Sequence, residues 1–166
     1  MLLSLLVFAC TTEAETGAAD TAADTADSGG DSAATGPGTL AISVQMDDDM
    51  VADLAEDGES AHAMVSGSIY IETDVEAFSG PIEGAVSLGD FTVDVDLTPD
   101  GGPSAVIYTS EPIDPQIVYV LGCMDTDVDL ECGSVGDPVT NPVSNKVIVV
   151  AEAETPFTMV LGLRRP

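Results

Sequence analysis

The amino-acid sequence predicts an all-β domain, an antiparallel β-sandwich of about seven strands, behind a disordered acidic tail. Short apolar stretches with the residue period of half-buried strands recur between residues 40 and 163. Gly and Pro residues mark the breaks between these stretches, as they do between the strands of two-sheet sandwiches. A small closed β-barrel is the alternative that the same pattern permits.

The predicted strands differ in how their apolar side chains are arranged. Residues 40–46, 62–73 and 91–97 place alternate side chains on an apolar face, which predicts strands with one side toward the core. Residues 117–121 are apolar without alternation, which favours a central strand that is covered on both faces. The remaining strands are predicted at 105–109, 147–152 and 157–163.

An acidic connection separates the first two predicted strands. Its apolar residues Met50, Val51 and Leu54 have helical spacing, and Asp49 precedes them. Because an aspartate often caps the first turn of a helix, we expect one short helical turn here with Asp49 as the N-cap.

The charge of the chain excludes nucleic acid as a partner. Lys and Arg total 3 against 30 Asp and Glu, and the net charge is -27. Binding to phosphates requires clustered basic residues, which this chain cannot supply. The negative charge also disfavours anionic membrane surfaces and favours the accumulation of cations.

The first ten residues, MLLSLLVFAC, resemble the processing signal of a bacterial lipoprotein. Their apolar run is far shorter than the roughly 20 residues of a spanning helix. Val7-Phe8-Ala9-Cys10 is similar to a lipobox, which implies that residues 1–9 are removed and that Cys10 is lipidated. No basic residue precedes the run, so the terminal amine supplies the usual charge or translation begins upstream. An apolar leader without lipidation is the alternative.

The segment that follows predicts a flexible tether. Residues 11–38 contain no large apolar side chain and are built mainly from Ala, Thr, Asp, Ser and Gly. Such a segment cannot bury enough surface to offset the entropy of ordering it. We therefore expect a disordered linker over 10–38, with an r.m.s. span of about 30 Å, that connects the lipidated cysteine to a β-sandwich domain over 39–166.

Cys123 and Cys132 form the cysteine pair of the predicted domain. Once Cys10 carries lipid, these two remain as an even pair in an oxidising compartment. We therefore expect a disulfide between them. Two unpaired thiols are the alternative, and a zinc site would need two more soft ligands where the chain offers one histidine.

The loop between the two cysteines has acidic residues at alternate positions. Asp125, Asp127 and Asp129, with Asp137 beyond the second cysteine, form a pattern similar to the start of a calcium-binding loop. The glycine that such a loop requires after its third aspartate is Leu130 here. Calcium coordination by these four carboxylates is one hypothesis, and a solvated acidic face is the other.

The sequence predicts no catalytic site and requires no cofactor. Its one histidine, His62, lies at an outward-facing position of a predicted strand. Nucleophile-elbow, Walker and dinucleotide-binding motifs are absent. Carboxylate pairs are abundant, but the chain has no Trp to form a sugar platform, so an enzyme that uses a carboxylate pair is the weaker alternative.

The order of strand signals over residues 84–163 resembles transthyretin-like or carboxypeptidase-regulatory-like sandwiches of bacterial envelope proteins. The resemblance rests on four stretches, which are residues 91–97, 100–102, 119–122 and 136–138. With the lipobox and the acidic tether, the chain is similar to lipoproteins of myxobacteria, a likeness that implies no particular activity.

We therefore expect a lipid-anchored envelope protein with a non-catalytic binding or structural role, whose partner would be an envelope protein or a glycan. Thr11, which follows the lipidated cysteine, resembles the residue found there in lipoproteins sent to the outer membrane. A calcium-stabilised adhesion or carbohydrate-binding domain is the alternative.

Overall fold

The computed structural model describes residues 34–58, 62–97, 102–127, 129 and 131–165. Within these residues eight strands form one sheet that is nearly barrel-shaped, and two short strands form a separate hairpin. The all-β prediction is confirmed, and the curvature of the sheet is that of the barrel alternative. Cys10, the predicted signal peptide over 1–9 and the linker up to residue 33 lie outside the described residues.

The strands of the described residues follow one another in chain order, with α-helix α1 (Asp48–Asp57) after the first. They are β1 (Thr39–Met46), β2 (His62–Ile71), β3 (Val75–Glu76), β4 (Gly80–Pro81), β5 (Gly89–Asp96), β6 (Tyr108–Thr109), β7 (Ile117–Asp125), β8 (Pro138–Thr140), β9 (Lys146–Ile148) and β10 (Glu154–Arg164). The large sheet has the order β5-β2-β7-β8-β10-β1-β6, and β9 also pairs with β7. Single turns of 3-10 helix lie at Glu72–Asp74 and Pro142–Ser144.

The sheet is mixed rather than purely antiparallel, because β1 and β10 run in parallel. Their register places Thr39 opposite Glu154 and Met46 opposite Leu161. The other described strand pairs are antiparallel. The sequence did not predict this pairing, because the alternation of side chains in a strand is the same whichever way its neighbour runs.

The apolar faces predicted for the early strands line the interior of the sheet. In β1 the side chains of Leu40, Ile42, Val44 and Met46 are fully buried. In β7 both faces are buried, with Val118 and Val120 in the core and Tyr119 and Leu121 on the outer face. The predictions of an inward face for β1 and of a central, doubly covered β7 are confirmed.

An aromatic pair brings the two edges of the sheet together. Phe91 of β5 and Tyr108 of β6 lie on opposite edge strands, yet their rings stack with centroids 4.9 Å apart. The Phe91 ring also lies over Gly67 of β2, where any Cβ would collide with it. Side-chain packing between these rings thus contributes to the barrel-like curvature.

Helix α1 is longer than the single turn predicted from the sequence. Its N-cap is Asp47 rather than Asp49, and the Asp47 carboxylate accepts the Met50 N–H at 2.9 Å. Asp48 and Asp49 lie in the first turn, where negative charge is favourable beside the free N–H groups. Met50 and Leu54, one turn apart, bury their side chains in the core and so fix the helix on the domain.

Asn145 fills the break between β8 and β9. Its fully buried side-chain amide accepts the Val160 N–H at 2.7 Å and donates to the Val160 carbonyl at 2.9 Å. Its backbone carbonyl accepts the Val120 N–H at 3.0 Å. One residue thus joins β7 to β10 where no regular strand lies between them.

The described part of the chain contains no helix with the length and hydrophobicity of a membrane span.

Candidate functional site

The acidic loop, residues 126–137, connects the end of β7 to the start of β8. A disulfide joins Cys123, inside β7, to Cys132 in the loop, with Cα atoms 5.7 Å apart. The predicted pairing is present in the structure. The bond fixes the middle of the loop to the last residues of β7, so the carboxylates of the loop are held near the sheet.

Asp137, a residue that is 1 % exposed, organises the acidic loop through its carboxylate. One oxygen accepts the Thr126 N–H at 3.1 Å, and the other accepts the N–H groups of Gly133 and Ser134 at 2.9 and 3.1 Å. Hydrogen bonds to an ionised acceptor are stronger than those between neutral groups. Asp137 therefore ties the first residue of the loop to the turn that follows Cys132.

Three of the four predicted calcium ligands converge. Carboxylate oxygens of Asp125, Asp127 and Asp137 all lie within 4.8 Å of one another, and Asp125 and Asp137 are buried. Asp129 is outside this group and instead accepts the Glu131 N–H at 2.7 Å. The same carboxylates serve the fold of the loop, since Asp127 accepts the Asp129 N–H at 3.2 Å.

Asp127 experiences the negative charge of this cluster. The N–H of Asp129 donates to its carboxylate and by itself lowers the pKa of Asp127. Partial desolvation and the charges of Asp129, Asp137 and Asp125 act in the opposite direction and together raise that pKa above its ordinary value. The loop thus holds a carboxylate that would be stabilised by a proton or by a cation.

A cleft of about 530 Å³, here named the disulfide cleft, opens on the outer face of the sheet beside Cys123 and Cys132. Its walls come from the turn between β3 and β4, from β7 and β8, and from the end of β10. The lining residues used below are Phe78, Leu121, Gly133, Val139, Leu163, Arg164 and Arg165.

Two of the three basic residues of the chain lie at this cleft. Arg164 is held in place, because its guanidinium pairs with Asp57 and donates to the Gly136 carbonyl at 2.7 Å. Arg165 is held by its backbone, which exchanges hydrogen bonds with Asp137 and Gly136 at 3.1 and 2.9 Å. Its guanidinium lies over Gly133, where a Cβ would be 3.5 Å from one of its nitrogens.

The apolar part of the disulfide cleft is open to solvent. Phe78, in the turn between β3 and β4, is 97 % exposed, and Leu163 of β10 is 44 % exposed. Exposed apolar side chains that line the same cleft mark a binding surface more often than apolar residues scattered singly over the surface do. Sequence reasoning did not find this cleft, although two adjacent arginines after an apolar strand are a distinctive feature in so acidic a chain.

His62 lies on the outer face of β2, as predicted, and its Nε2 is 3.1 Å from Asp94. Both side chains are largely exposed to solvent. Lys146, the third basic residue, pairs with Glu72, and the hydrogen bond between them raises the pKa of Lys146. The side chains of His62 and Lys146 are therefore on the outer surface and away from the disulfide cleft.

The chain matches no protein-family model, no curated protein and no solved structure. Its proposed function therefore rests on its own residues.

Proposed function

We propose that this chain is a lipid-anchored protein of the bacterial cell envelope, held at the outer membrane by acyl chains on Cys10. Its β domain acts as a non-catalytic binding or structural module. The observation that carries the proposal is the order of features along the chain. A lipobox-like motif ends at Cys10, a polar segment follows, and the first strand of the domain begins at Thr39.

Two structural features support the proposal. The Cys123–Cys132 disulfide fits an oxidising compartment such as the periplasm, because cytosolic thiols are kept reduced. The disulfide cleft supports a binding role, because its volume of about 530 Å³ falls in the range of small-molecule sites and its walls combine apolar side chains with a few polar groups.

The anchor is tested by feeding an alkyne-tagged palmitate to a Gram-negative bacterium that produces the full chain. We expect the tag on the protein and the protein in the membrane fraction. A second version with two lysines added after Met1 supplies the basic residues that this class of signal normally carries. Cys10→Ala is the matched control and should carry no tag, although its β domain is unchanged.

Inhibition of lipoprotein signal peptidase should retain residues 1–9 on the tagged protein and so increase its mass. If neither version of the unmutated chain carries the tag, the lipid anchor is refuted. Equal labelling of Cys10→Ala would show that the acyl group is attached elsewhere, and it would refute the assignment of Cys10.

A calcium-stabilised adhesion or carbohydrate-binding domain is the second hypothesis, and the convergence of Asp125, Asp127 and Asp137 favours it. The hydrogen bonds accepted by Asp137 provide a structural reason for the same arrangement without a cation. Thermal unfolding separates the two explanations. Millimolar calcium should raise the midpoint of the unmutated chain and leave that of Asp127→Asn unchanged, whereas equal midpoints with and without calcium would remove the hypothesis.

A further inference from the structure

We propose that the disulfide cleft binds a monoanionic carboxylate that carries an alkyl or aryl group, with Arg165 as the carboxylate anchor. This inference specifies the ligand class for the binding role proposed above, and it rests on that role. The same chemistry occurs in a free carboxylic acid and at the C terminus of a peptide with an apolar last residue.

The apolar part of the ligand is accommodated by the walls of the cleft. Leu121 and Val139 come from neighbouring strands, and Leu163 adds a half-exposed side chain from β10. Phe78 also lines the cleft, and its side chain is almost fully exposed to solvent. An alkyl or aryl group in contact with Phe78 and Leu163 would remove apolar surface of both residues from water, which is favourable in proportion to the area buried.

The carboxylate is accommodated by Arg165. Arg164 already pairs with Asp57, whereas within the described part of the chain no acidic side chain forms an ion pair with Arg165. The guanidinium lies over Gly133, and Arg165 lines the cleft and is exposed to solvent. A guanidinium can donate two parallel hydrogen bonds to one carboxylate, which gives both strength and orientation.

The overall charge of the chain limits the ligand to a single negative charge at this site. A net charge of -27 repels anions, and each additional charge on a ligand increases that repulsion. One available guanidinium neutralises one carboxylate. A dianionic phosphate or a polyanion would leave charge unpaired in a strongly negative environment, so a monocarboxylate fits better.

The position of Arg165 depends on the acidic loop. Its backbone N–H and carbonyl pair with Asp137 and Gly136, and the Asp137 carboxylate in turn holds Gly133, over which the guanidinium lies. The disulfide fixes the same loop from the side of β7. The loop therefore supports Arg165 and holds it at the cleft.

The test measures binding by isothermal titration calorimetry with the full chain carrying Cys10→Ser, which needs no detergent. One probe is 3-phenylpropanoate, which represents a free acid, and its amide is the neutral control. The other probe is an acetylated tripeptide that ends in phenylalanine, compared with the same peptide amidated at its C terminus. Protein variants are Arg165→Gln, Phe78→Ser and, as a matched loss of one positive charge, Lys146→Gln.

We expect at least one carboxylate probe to bind and its amide to bind about tenfold more weakly or not at all. Arg165→Gln should weaken binding about tenfold, and Phe78→Ser about threefold or more. Lys146→Gln should leave the affinity unchanged, because Lys146 pairs with Glu72 outside the cleft. The probe that binds more tightly identifies the source of the carboxylate.

The inference is overturned if neither carboxylate binds, if each amide binds as well as its acid, or if Arg165→Gln retains full affinity. Wrong folding of a variant is recognised from its circular dichroism spectrum, and Lys146→Gln provides the reference for a folded chain with one charge less. These results do not depend on acylation of Cys10, so they leave the palmitate experiment to decide the anchor separately.

Discussion

The backbone N–H of Arg165 donates a hydrogen bond to the carbonyl oxygen of Asp137 at 3.1 Å. This contact connects the acidic loop to the end of β10. It therefore links the cluster of carboxylates in the loop to the arginine that lines the disulfide cleft. The Asp137 carboxylate holds the loop from within, and its backbone holds Arg165 at the disulfide cleft. Asp137, the most buried acid of the loop, thus helps to hold the proposed binding site in place.

Asp137→Asn should destabilise the domain by about 2 kcal/mol, because one carboxylate oxygen that accepts backbone N–H groups becomes a donor. The measurement is urea unfolding of the full chain carrying Cys10→Ser. Asp129→Asn is the control, since Asp129 is exposed and its amide oxygen can still accept the Glu131 N–H. A loss of stability no larger than that of Asp129→Asn would contradict the role assigned to Asp137.

Removal of the disulfide should also weaken the domain. The bond closes a loop with a sequence separation of 9, and the chain-entropy relation gives a stabilisation of about 2.5 kcal/mol for a loop of this length. We expect the double variant Cys123→Ser, Cys132→Ser to unfold at a lower urea concentration, with a free energy of unfolding that is smaller by this amount. The unmutated pair under strong reductant should unfold at the same point as the double variant. Identical unfolding of the oxidised and reduced chains would rule out a stabilising bond.

Stability should depend on pH through Asp127, whose folded-state pKa is raised. A raised pKa means that folding disfavours the charged carboxylate, so the unmutated chain is less stable above that pKa and gains stability as pH falls through it. Asp127→Asn should therefore unfold at a higher temperature than the unmutated chain at pH 7 without calcium. The difference should shrink as the pH approaches and passes below the pKa of Asp127.

A lower midpoint for Asp127→Asn at neutral pH would show that repulsion within the cluster is not the dominant effect at this residue. A difference that persists unchanged at acidic pH would show that the charge is not its origin. Asp114→Asn serves as the control, because Asp114 is exposed and its charge is not among those that raise the pKa of Asp127.

Asn145→Ala should cost about 3 kcal/mol of unfolding free energy, because it removes a fully buried amide and leaves the part-buried N–H and carbonyl of Val160 without their partner. Asn141→Ala is the matched control. It removes a hydrogen bond to the Val143 N–H near the surface and should cost about 1 kcal/mol. Urea unfolding of both variants checks the difference, and equal losses would contradict the bridging role of Asn145.

Local features of the fold could be predicted from the sequence, because burial of one face leaves a readable pattern. The alternation in β1 gave its inward face, and the uninterrupted apolar run at 117–121 gave a central strand. The parallel pairing of β1 with β10 could not be predicted, since it depends on where the last strand finds a partner. The role of Asn145 was also missed, because its amide replaces backbone groups and leaves no periodic signal.

The site was predictable only in part for a similar reason. Cys123 and Cys132 pair as their even number indicated, and Asp125, Asp127 and Asp137 converge because they lie on one short loop. The disulfide cleft instead combines residues far apart in sequence, such as Phe78 and Arg165. Their proximity follows from strand order, which composition and periodicity do not reveal.

The lipid anchor is tested most directly by the mass of the N-terminal peptide of the mature protein isolated from bacterial membranes. We expect a peptide that begins at Cys10 and carries acyl chains on that residue. A peptide that begins at Met1, or one in which Cys10 retains a free thiol, would contradict the proposal that this β domain is tethered to the envelope.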